Sequence, residues 1–528
     1  MKRIIRGKEA RKKLLEGVRL MYDMVATTLG PKGRNIAIQR QWGAPIVVHD
    51  GVTVAREVEN EDEFIQMGIS LIQEAASKTN TEAGDGTTTS TLLAYEIVRA
   101  GIKLIDEGKN PMVLRREIYE ALEKLKLELP KLSHKTDKKE DLRKVAIISS
   151  GSEEIGNLVA EAVHKVGREG IVTADEGGGE MELFYTQGME FDKGYKALHF
   201  ITNPDKMQAV VKDASLILTR KKITMQGEIV PLIDHIAKQG IKDIVVIGDI
   251  SGDALSFFAV NKMRGNINAL VVDTPYYGDR STNVLDDIAI LTGATVIAEE
   301  MDITNKEVIE DIAENFLGHA KQVVSSKDKT AVIEGGGDKK LIEERIKEIR
   351  TQLKDEDNVY ESEKLEERLA KLTTGVGVIK VGAKTDIEMR EKVERVKDAI
   401  GSARAALDEG VVVGGGRTFI NIANVLNSEE TDGEKMMFPV LYEPMRKILT
   451  NAGEDKDKHE PIMKKCFKNG QNFGYEMNSG KVVDLMKEGI IDPAKVVRLS
   501  LENAVGVATS ILTTEGLIAL KNDKPSKD

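Results

Sequence analysis

The chain has 528 residues, enough for about three domains, and its 41% hydrophobic and 31% charged residues exclude a largely disordered protein. A formal charge of −11 argues against general binding to nucleic acid or to an anionic membrane. A single cysteine, Cys466, excludes an internal disulfide and a cysteine-rich zinc site. The first residues lack an apolar targeting segment, and the longest uncharged run, 503–514, is too short to span a bilayer, so we expect a cytoplasmic protein.

The first 130 residues are predicted to be mainly helical. Apolar residues at helical spacing predict helices over 8–29, 64–80, 88–107 and 112–131. Two short β-branched runs, 35–39 and 45–49, predict a hairpin between the first two helices, with Gly43 in its turn.

The middle of the chain has a different pattern, in which β-branched runs alternate with helical ones. Strands are predicted at 215–219, 243–247, 269–273 and 294–298, and helices between them at 227–239, 252–264 and 281–292. This alternation predicts an α/β domain with a largely parallel sheet. A charged helical pair at 338–355 and 360–372 follows, and the chain after residue 408 is again helical. Three successive domains and an α/β domain inserted into a helical one both fit this order.

The strongest local signal for chemistry is the run Gly84-Asp-Gly-Thr-Thr-Thr89, which precedes an apolar helix. Glycine lets the backbone approach a ligand closely, and hydroxyls with the free N–H groups of a helix start suit phosphate oxygens. Asp85 is a hard oxygen ligand of the kind that Mg²⁺ takes together with phosphates. An ordinary helix cap is the alternative, because Asp and Thr are also common N-cap residues.

Other glycine-rich segments are weaker signals. The run Thr28-Leu-Gly-Pro-Lys-Gly-Arg-Asn35 offers backbone N–H groups, but Gly-Pro also marks simple turns, as does Asp50-Gly51. Gly414-Gly-Gly416 fits a nucleotide contact or a close helix packing. The sequence contains no P-loop, no dinucleotide fingerprint and no His-Glu-x-x-His, and nothing supports a serine or cysteine nucleophile.

Two apolar helices and the two chain ends suggest contacts with other chains. Residues 229–236 and 255–260 are strongly apolar, which predicts core packing or, alternatively, an exposed surface for a partner. The runs 2–6 and 517–520 read as edge strands without a local partner. They fit pairing within the chain or with another subunit.

Taken in order, the motifs resemble those of group I chaperonins, the GroEL-type 60 kDa family. The run Ala405-Ala-Leu-Asp-Glu-Gly-Val-Val-Val-Gly-Gly-Gly416 is similar to the family signature. Similar motifs elsewhere are Thr28 to Asn35, Asp50-Gly-Val-Thr53, Gly84 to Thr89, Gly188-Met-Glu-Phe-Asp-Lys-Gly-Tyr195, Gly375-Val-Gly-Val-Ile-Lys-Val-Gly382 and Gly489-Ile-Ile-Asp-Pro493. The resemblance extends over nearly the whole chain.

The resemblance implies a multidomain α and α/β fold with an inserted architecture. A helical equatorial ATP-binding domain would comprise 1–131 and 408–528. A small intermediate domain would comprise 132–187 and 375–407, and the α/β apical domain that binds substrate and co-chaperonin would be 188–374.

The resemblance also implies an ATPase that uses Mg²⁺, with K⁺ as a further candidate ion. Carried over to this sequence, the nucleotide-binding residues are Thr28, Leu29, Gly30, Pro31, Gly51, Asp85, Gly86, Thr87, Thr88, Thr89, Gly415, Glu476 and Asp492. Asp85 would hold the metal ion. Asp398 and Asp50 would be the catalytic carboxylates, with Asp398 orienting the attacking water.

For the apical domain, the resemblance implies capture of non-native polypeptides in a ring of seven or fourteen identical subunits, closed by a GroES-type lid. The matching substrate-binding positions are Tyr195, His199, Phe200, Val230, Ile233, Leu255, Ala259 and Val260. Three residues depart from the family pattern: Glu476, near the expected position of the nucleotide base; His49, before Asp50; and His199, in place of an aromatic residue. The tail also lacks Gly-Gly-Met repeats.

Two alternatives remain open at this stage. A passive holdase or scaffold ring would bind polypeptides without needing both Asp85 and Asp398. A small-molecule ATP-dependent enzyme, such as a kinase, would need an acceptor site, and the sequence shows no such constellation.

Overall fold

The computed structural model describes all residues except 1, 40–44, 49, 169, 178–179, 187, 205–206, 277, 357, 384, 427–429 and 521–528. Gly43 in the predicted hairpin turn, His49 and the polar tail therefore lie outside the described residues. The chain forms two compact units, one built from residues up to 160 together with those from 394 onward, the other from 161–393. The second unit is thus inserted into the first along the chain. The finer division into equatorial, intermediate and apical parts stays a prediction.

The N-terminal segment is mainly helical. Its elements are β1 (Lys2–Arg6), α1 (Gly7–Val25), β2 (Ile36–Ile38), β3 (Ile46–Val48), α2 (Gly51–Glu57), α3 (Glu63–Ala83), α4 (Thr87–Asp106), α5 (Pro111–Leu132), α6 (Lys139–Ser150) and α7 (Glu153–Val166). The helices expected at 8–29, 64–80, 88–107 and 112–131 are all present, with ends shifted by a few residues. Strands β2 and β3 pair antiparallel, as predicted for a hairpin.

The inserted segment alternates strands and helices. Its elements are β4 (Ile171–Glu176), β5 (Glu182–Thr186), β6 (Gly188–Phe191), β7 (Ala209–Thr219), α8 (Gln226–Lys238), β8 (Asp243–Ile247), α9 (Gly252–Met263), β9 (Asn268–Val272), α10 (Asp279–Thr292), β10 (Val296–Ile297), α11 (Lys306–Asp311), β11 (Gly318–Ser325), β12 (Thr330–Gly335), α12 (Lys339–Asp355), α13 (Val359–Thr374) and β13 (Val376–Val381).

The main sheet of the inserted unit is mixed rather than wholly parallel. Its order is β6-β12-β11-β7-β8-β9, with β10 also paired to β7. Strands β7, β8, β9 and β10 are parallel, as the alternating pattern predicts, whereas β11, β12 and β6 continue the sheet antiparallel. Strands β11 and β12 form a hairpin, which needs no crossover helix, so this part of the chain lacks the strand–helix alternation that predicted the parallel strands.

The C-terminal segment returns to the helical unit. Its elements are α14 (Asp386–Glu409), β14 (Val411–Val413), α15 (Arg417–Ala423), α16 (Asp432–Val440), α17 (Glu443–Asn451), α18 (Lys456–Asn469), β15 (Phe473–Glu476), β16 (Lys481–Asp484), β17 (Ile491–Pro493), α19 (Ala494–Leu512) and β18 (Gly516–Leu520). Strand β18 pairs antiparallel with β1. The two terminal strands are therefore partners within one chain.

The core of the helical unit lies between α1, α3, α4, α5 and α19. Helices α1 and α3 cross closely, because a Cβ on Gly17 would overlap the Ile65 carbonyl oxygen, and one on Gly68 would lie 2.5 Å from that of Leu14. Helix α19 packs against α3, α4 and α5 and is buried along most of its length. This packing fixes the ends of α3 and α4, where the candidate site begins.

Candidate functional site

The turn between α3 and α4 depends on two glycines. Gly84 and Gly86 have φ angles of 72° and 91°, in the left-handed region that favours glycine. A Cβ on Gly86 would lie 2.5 Å from Ser500 Oγ. Gly86 occupies the N-cap position of α4, and no side chain caps this helix. The positive end of a 20-residue helix is therefore available to an anion.

The threonines that open α4 meet two other segments. Thr88 Oγ1 lies 3.5 Å from Thr28 Oγ1, and a Cβ on Gly51 would overlap Thr88 Oγ1. Thr87 is 4% exposed, and its hydroxyl is buried without a hydrogen-bond partner in the described structure, while Thr89 is half-buried. Polar atoms from three distant parts of the sequence thus converge on one point.

Asp50 is held rigidly at the start of α2. Its carboxylate accepts hydrogen bonds from the backbone of Val52 (3.1 Å) and Thr53 (2.8 Å) and from the Thr53 hydroxyl (2.8 Å). Its negative charge also contributes to the raised pKa of Asp85. The two carboxylates therefore lie close enough to repel each other.

Asp85 links this loop to helix α14. One carboxylate oxygen accepts the Gly86 N–H at 2.5 Å, and the other accepts the Ser402 hydroxyl at 3.0 Å. Ser402 Oγ is in turn 3.1 Å from Ser149 Oγ. Burial raises the pKa of Asp85, and these hydrogen bonds only partly counter it.

Helix α14 approaches the loop without side chains between the backbones. A Cβ on Gly84 would overlap Gly401 Cα, so both positions need glycine. Asp398 precedes Ser402 by one helical turn, which places the two residues on the same face of α14. Asp398 is half-buried and has an interaction of its own.

A second carboxylate, that of Asp492 on strand β17, lies near enough to Asp85 for the two charges to interact. Asp492 pairs with Val412 of β14, and a Cβ on Gly414 would lie 3.2 Å from Asp492 Oδ1. Burial, with the charge of Asp85 second, raises the pKa of Asp492 to about 7. Both carboxyl groups are surrounded by protein atoms yet keep part of their surface accessible. Such a pair favours a cation between or beside them.

The loop after α1 is fixed by Asn451. The Asn451 side-chain amide donates to the carbonyls of Ala26 and Leu29, both at 2.9 Å. Gly30 takes a φ of 85° with Ile448 beside it, and Pro31 is exposed. The loop's backbone is thereby held beside Thr28 and Thr88.

The predicted base-side residues differ in what they do. Gly415 has a φ of 64° and lies beside Leu485. The Glu476 carboxylate instead accepts the backbone N–H groups of Asn478 and Ser479, at 2.8 and 2.6 Å. The Ser479 side chain contributes most to a lowered pKa of Glu476, and the two backbone bonds and the charge of Lys32 lower it further. Glu476 thus stabilises the turn between β15 and β16.

Comparison with known proteins gives these observations a context. A family model described as the TCP-1/cpn60 chaperonin family matches residues 21–522. The chain belongs to this family. Among solved structures, it resembles the chaperonin gp146 from bacteriophage EL 2 (Pseudomonas aeruginosa), crystallised in the presence of ATP-BeFx. The TM-score is 0.65 at 21% identity, covering 98% of this chain and 99% of that chain, which confirms the predicted fold class.

Sequence analysis of this chaperonin missed three residues that shape the site: Ser149, Ser402 and Asn451. Ser402 follows Asp398 by four residues, so helical spacing alone would have put it on the same face. Ser149 and Asn451 carry no local signal, because their partners are far away in the sequence. Among the described residues, no cluster of three or more His, Cys, Asp or Glu side chains could hold a metal ion. Nor does any described helix have the length and apolar character needed to cross a membrane.

The predicted substrate positions of the chaperonin divide by exposure. Phe200 and Ile233 are 0% and 2% exposed and belong to the core of the inserted unit, and Tyr195 and Ala259 are also buried. Val230 and Leu255 are half-buried, while His199 and Val260 are exposed. Sequence analysis missed three further exposed apolar side chains: Leu198, next to His199; Met225, directly before α8; and Met263, at the end of α9. Exposed apolar side chains therefore lie on α9 (Val260 and Met263) and just before α8 (Met225), while half of the predicted positions are packed beneath the surface.

Proposed function

We propose that this chaperonin hydrolyses ATP at the α3–α4 turn and uses the cycle to fold other proteins. The observation that carries the proposal is the orphaned hydroxyl of Thr87 at the uncapped start of α4, beside the carboxylates of Asp85 and Asp492. A buried polar group without a partner is costly, and a phosphate oxygen would supply the missing partner.

The residues fit a nucleotide with its metal ion. Thr87, Thr88 and Thr89, with Gly86, would hold phosphates through hydroxyls and first-turn N–H groups. Thr28, Leu29, Gly30, Pro31 and Gly51 would form the facing wall, and Gly415, Glu476 and Asp492 the base and ribose side. Asp85 would bind Mg²⁺, which would neutralise phosphate charge; K⁺ is a further candidate ion.

Hydrolysis requires a positioned water more than covalent chemistry by the protein. The water oxygen forms a bond to the γ-phosphorus, the bond from that phosphorus to the bridging oxygen breaks, and the products are ADP and inorganic phosphate. Asp398 would accept a hydrogen bond from the water and orient it. Asp50, held by three hydrogen bonds, would be the second catalytic carboxylate, at a fixed position near the transferred group.

Replacing Asp398 tests this assignment. Asp398→Ala should bind ATP with little change in affinity while its turnover falls by about 100-fold or more, because only the transition state loses an interaction. Asp408→Asn, at an exposed position on the same helix, is the matched control and should hydrolyse ATP normally. Normal turnover in Asp398→Ala would refute the assignment. If the unsubstituted protein binds ATP but does not hydrolyse it, a passive holdase would be favoured.

The exposed apolar side chains on α9 and just before α8 are proposed to capture non-native polypeptides. Burial of such surface contributes about 25 cal/mol per Å², so side chains as exposed as Met225 (65%) and Met263 (62%) have much to gain from a partner. In this proposal the unit of 188–374 is apical, 132–187 with 375–407 intermediate, and 1–131 with 408–528 equatorial. Seven or fourteen cytoplasmic copies would form rings closed by a GroES-type lid.

Substitution on α9 tests capture separately from hydrolysis. Met263→Ser with Val260→Ser should weaken binding of a chemically denatured test protein several-fold while ATP turnover continues. Leu341→Ser, which removes a similarly exposed apolar side chain from α12, is the control. Equal losses in both variants would contradict a localised capture surface. Native mass with and without Mg-ATP would check the ring.

A further inference from the structure

Helix α15 begins directly after the triple glycine, and two of its buried polar side chains, Arg417 and Asn421, each have one polar atom without a hydrogen-bond partner in the described structure. Arg417 is 4% exposed and Asn421 is 7% exposed, one helical turn apart. Arg417 Nε and Asn421 Oδ1 are both buried without a hydrogen-bond partner among the described residues. Buried groups of this kind are costly, so each needs a compensating role.

Both side chains hold the same loop, which connects α18 to β15. Arg417 Nη2 donates to the Gly470 carbonyl at 3.3 Å, and Asn421 Nδ2 donates to the Gln471 carbonyl at 3.0 Å. The guanidinium also stacks on Phe467, 4.5 Å from the ring centre. No carboxylate forms an ion pair with Arg417 in the described structure, so its bonds all serve this loop.

The loop in turn holds Leu485, which lies between Gly415 and Gly474, two glycines on the side of the proposed site that would face the nucleotide base. The carbonyl of Asn472 accepts the Leu485 N–H at 2.9 Å. The Leu485 side chain reaches both segments: a Cβ on Gly474 would overlap it, and one on Gly415 would lie 3.6 Å from it. Leu485 and Gly474 thus form a wall facing Gly415.

Backbone hydrogen bonds connect Leu485 back to the triple glycine that precedes Arg417. Leu485 O accepts the Ile490 N–H at 2.8 Å, and Ile490 O accepts the Gly414 N–H at 3.0 Å. From Gly414 the chain continues through Gly416 into Arg417. A shift of the Gly470–Asn472 loop would therefore move Leu485 against Gly415, while the threonines of α4 are held by other contacts.

We propose that Arg417 and Asn421 are positioning residues that set the base-side wall of the nucleotide site and so determine affinity for the base rather than for the phosphates. The inference rests on the proposed function. Arg417→Met keeps the length of the side chain but removes both the charge and the donor. Asn421→Leu does the same for the amide at similar volume. Arg417→Met removes a buried charge that has no carboxylate partner, and Asn421→Leu keeps the branched shape of the side chain, so both variants should fold.

The test compares two inhibitors of ATP hydrolysis by the full-length chain: Mg-ADP, which carries the base, and Mg-tripolyphosphate, which lacks it. In each variant, the inhibition constant for ADP and the KM for ATP should rise about tenfold, corresponding to the loss of one buried hydrogen bond. The constant for tripolyphosphate and kcat should stay within about twofold. Arg417→Lys, which restores a donor without the planar stack, should fall between.

Three outcomes would overturn the inference: equal weakening of both inhibitors, a fall in kcat with KM unchanged, or no change at all. Thr509→Val removes a buried hydroxyl on α19 in the same unit and reports the effect of lost stability alone. It should leave both inhibition constants unchanged. A wild-type chain that neither binds nor hydrolyses ATP would refute the proposed function itself, and this inference with it.

Discussion

The carboxyl group of Asp492 gives the nucleotide-free chain a specific pH dependence. Its ordinary pKa of 3.8 is raised by burial and by Asp85 to about 7. Below pH 3.8 the group is protonated in both folded and unfolded chains and has no effect on stability. Between about pH 4 and 7 it ionises only in the unfolded chain, so the folded chain loses stability as the pH rises.

The size of this loss follows from the shift. Each pH unit costs about 1.4 kcal/mol, so the full cost approaches about 4 kcal/mol above pH 7. Asp492→Asn removes the ionisable group at nearly constant volume. We expect the variant to be more stable than wild type at pH 8, with the difference nearly vanishing at pH 4.

Thermal unfolding midpoints of the nucleotide-free chain, measured from pH 4 to pH 8.5, check this prediction. The difference between Asp492→Asn and wild type should grow up to about pH 7 and then level off. Asp457→Asn, at an exposed position in the first turn of α18, should show no such growth. A constant difference across the range would mean that Asp492 is not held in an environment that disfavours its charge.

Three further predictions follow from other contacts. Gly86→Ala should lower the free energy of unfolding by about 1–3 kcal/mol, because the added Cβ would overlap Ser500, and the thermal midpoint should fall accordingly. Gly108→Ala introduces a Cβ at a similar φ but into open space, so its free energy of unfolding should fall by less. Asp287→Ala should cost about 3–5 kcal/mol and increase amide exchange in α12 and α13, because Arg345 and Arg368 lose their shared buried partner; Glu348→Gln should not. Mg-ADP binding at pH 6 should release protons, because the pKa of Asp492 is raised to about 7 and a nearby cation would favour its ionisation; buffer-dependent binding enthalpies measure this.

Sequence patterns predicted elements whose stabilising contacts are periodic. Helices α3, α4 and α5 carry apolar residues at helical spacing, and the parallel strands β7, β8 and β9 are buried on both faces. The antiparallel strands were missed for different reasons: β11 lacks a continuous apolar run, β6 has only four residues, and β12 follows β11 in a hairpin with no helix between them. Strand β11, for example, alternates exposed and buried residues.

The site was predictable only where chemistry lies in a contiguous run. Residues 84–89 stood out because glycine, carboxylate and hydroxyls follow each other directly. The partners that hold them come from far away in the chain: Ser402 reaches Asp85 across 317 positions, and Asn451 reaches Leu29 across 422. Only the family resemblance related these segments, and it gave no indication of which side chains join them.

Several features of the site residues lower the stability of the folded chain without nucleotide. Thr87 has an orphaned hydroxyl, Asp85 and Asp492 repel each other at raised pKa, and Gly86 adopts a φ that few other residues tolerate. In the proposed complex, phosphate oxygens would give the Thr87 hydroxyl a partner, and a cation would reduce the repulsion between the two carboxylates. The affinity of the proposed site for a nucleotide should depend on the position of α14. Ser402 and Gly401 of this helix contact Asp85 and Gly84 in the turn between α3 and α4. In the proposed site, a movement of α14 would therefore change the contacts that Ser402 and Gly401 make with the turn at Gly84 and Asp85.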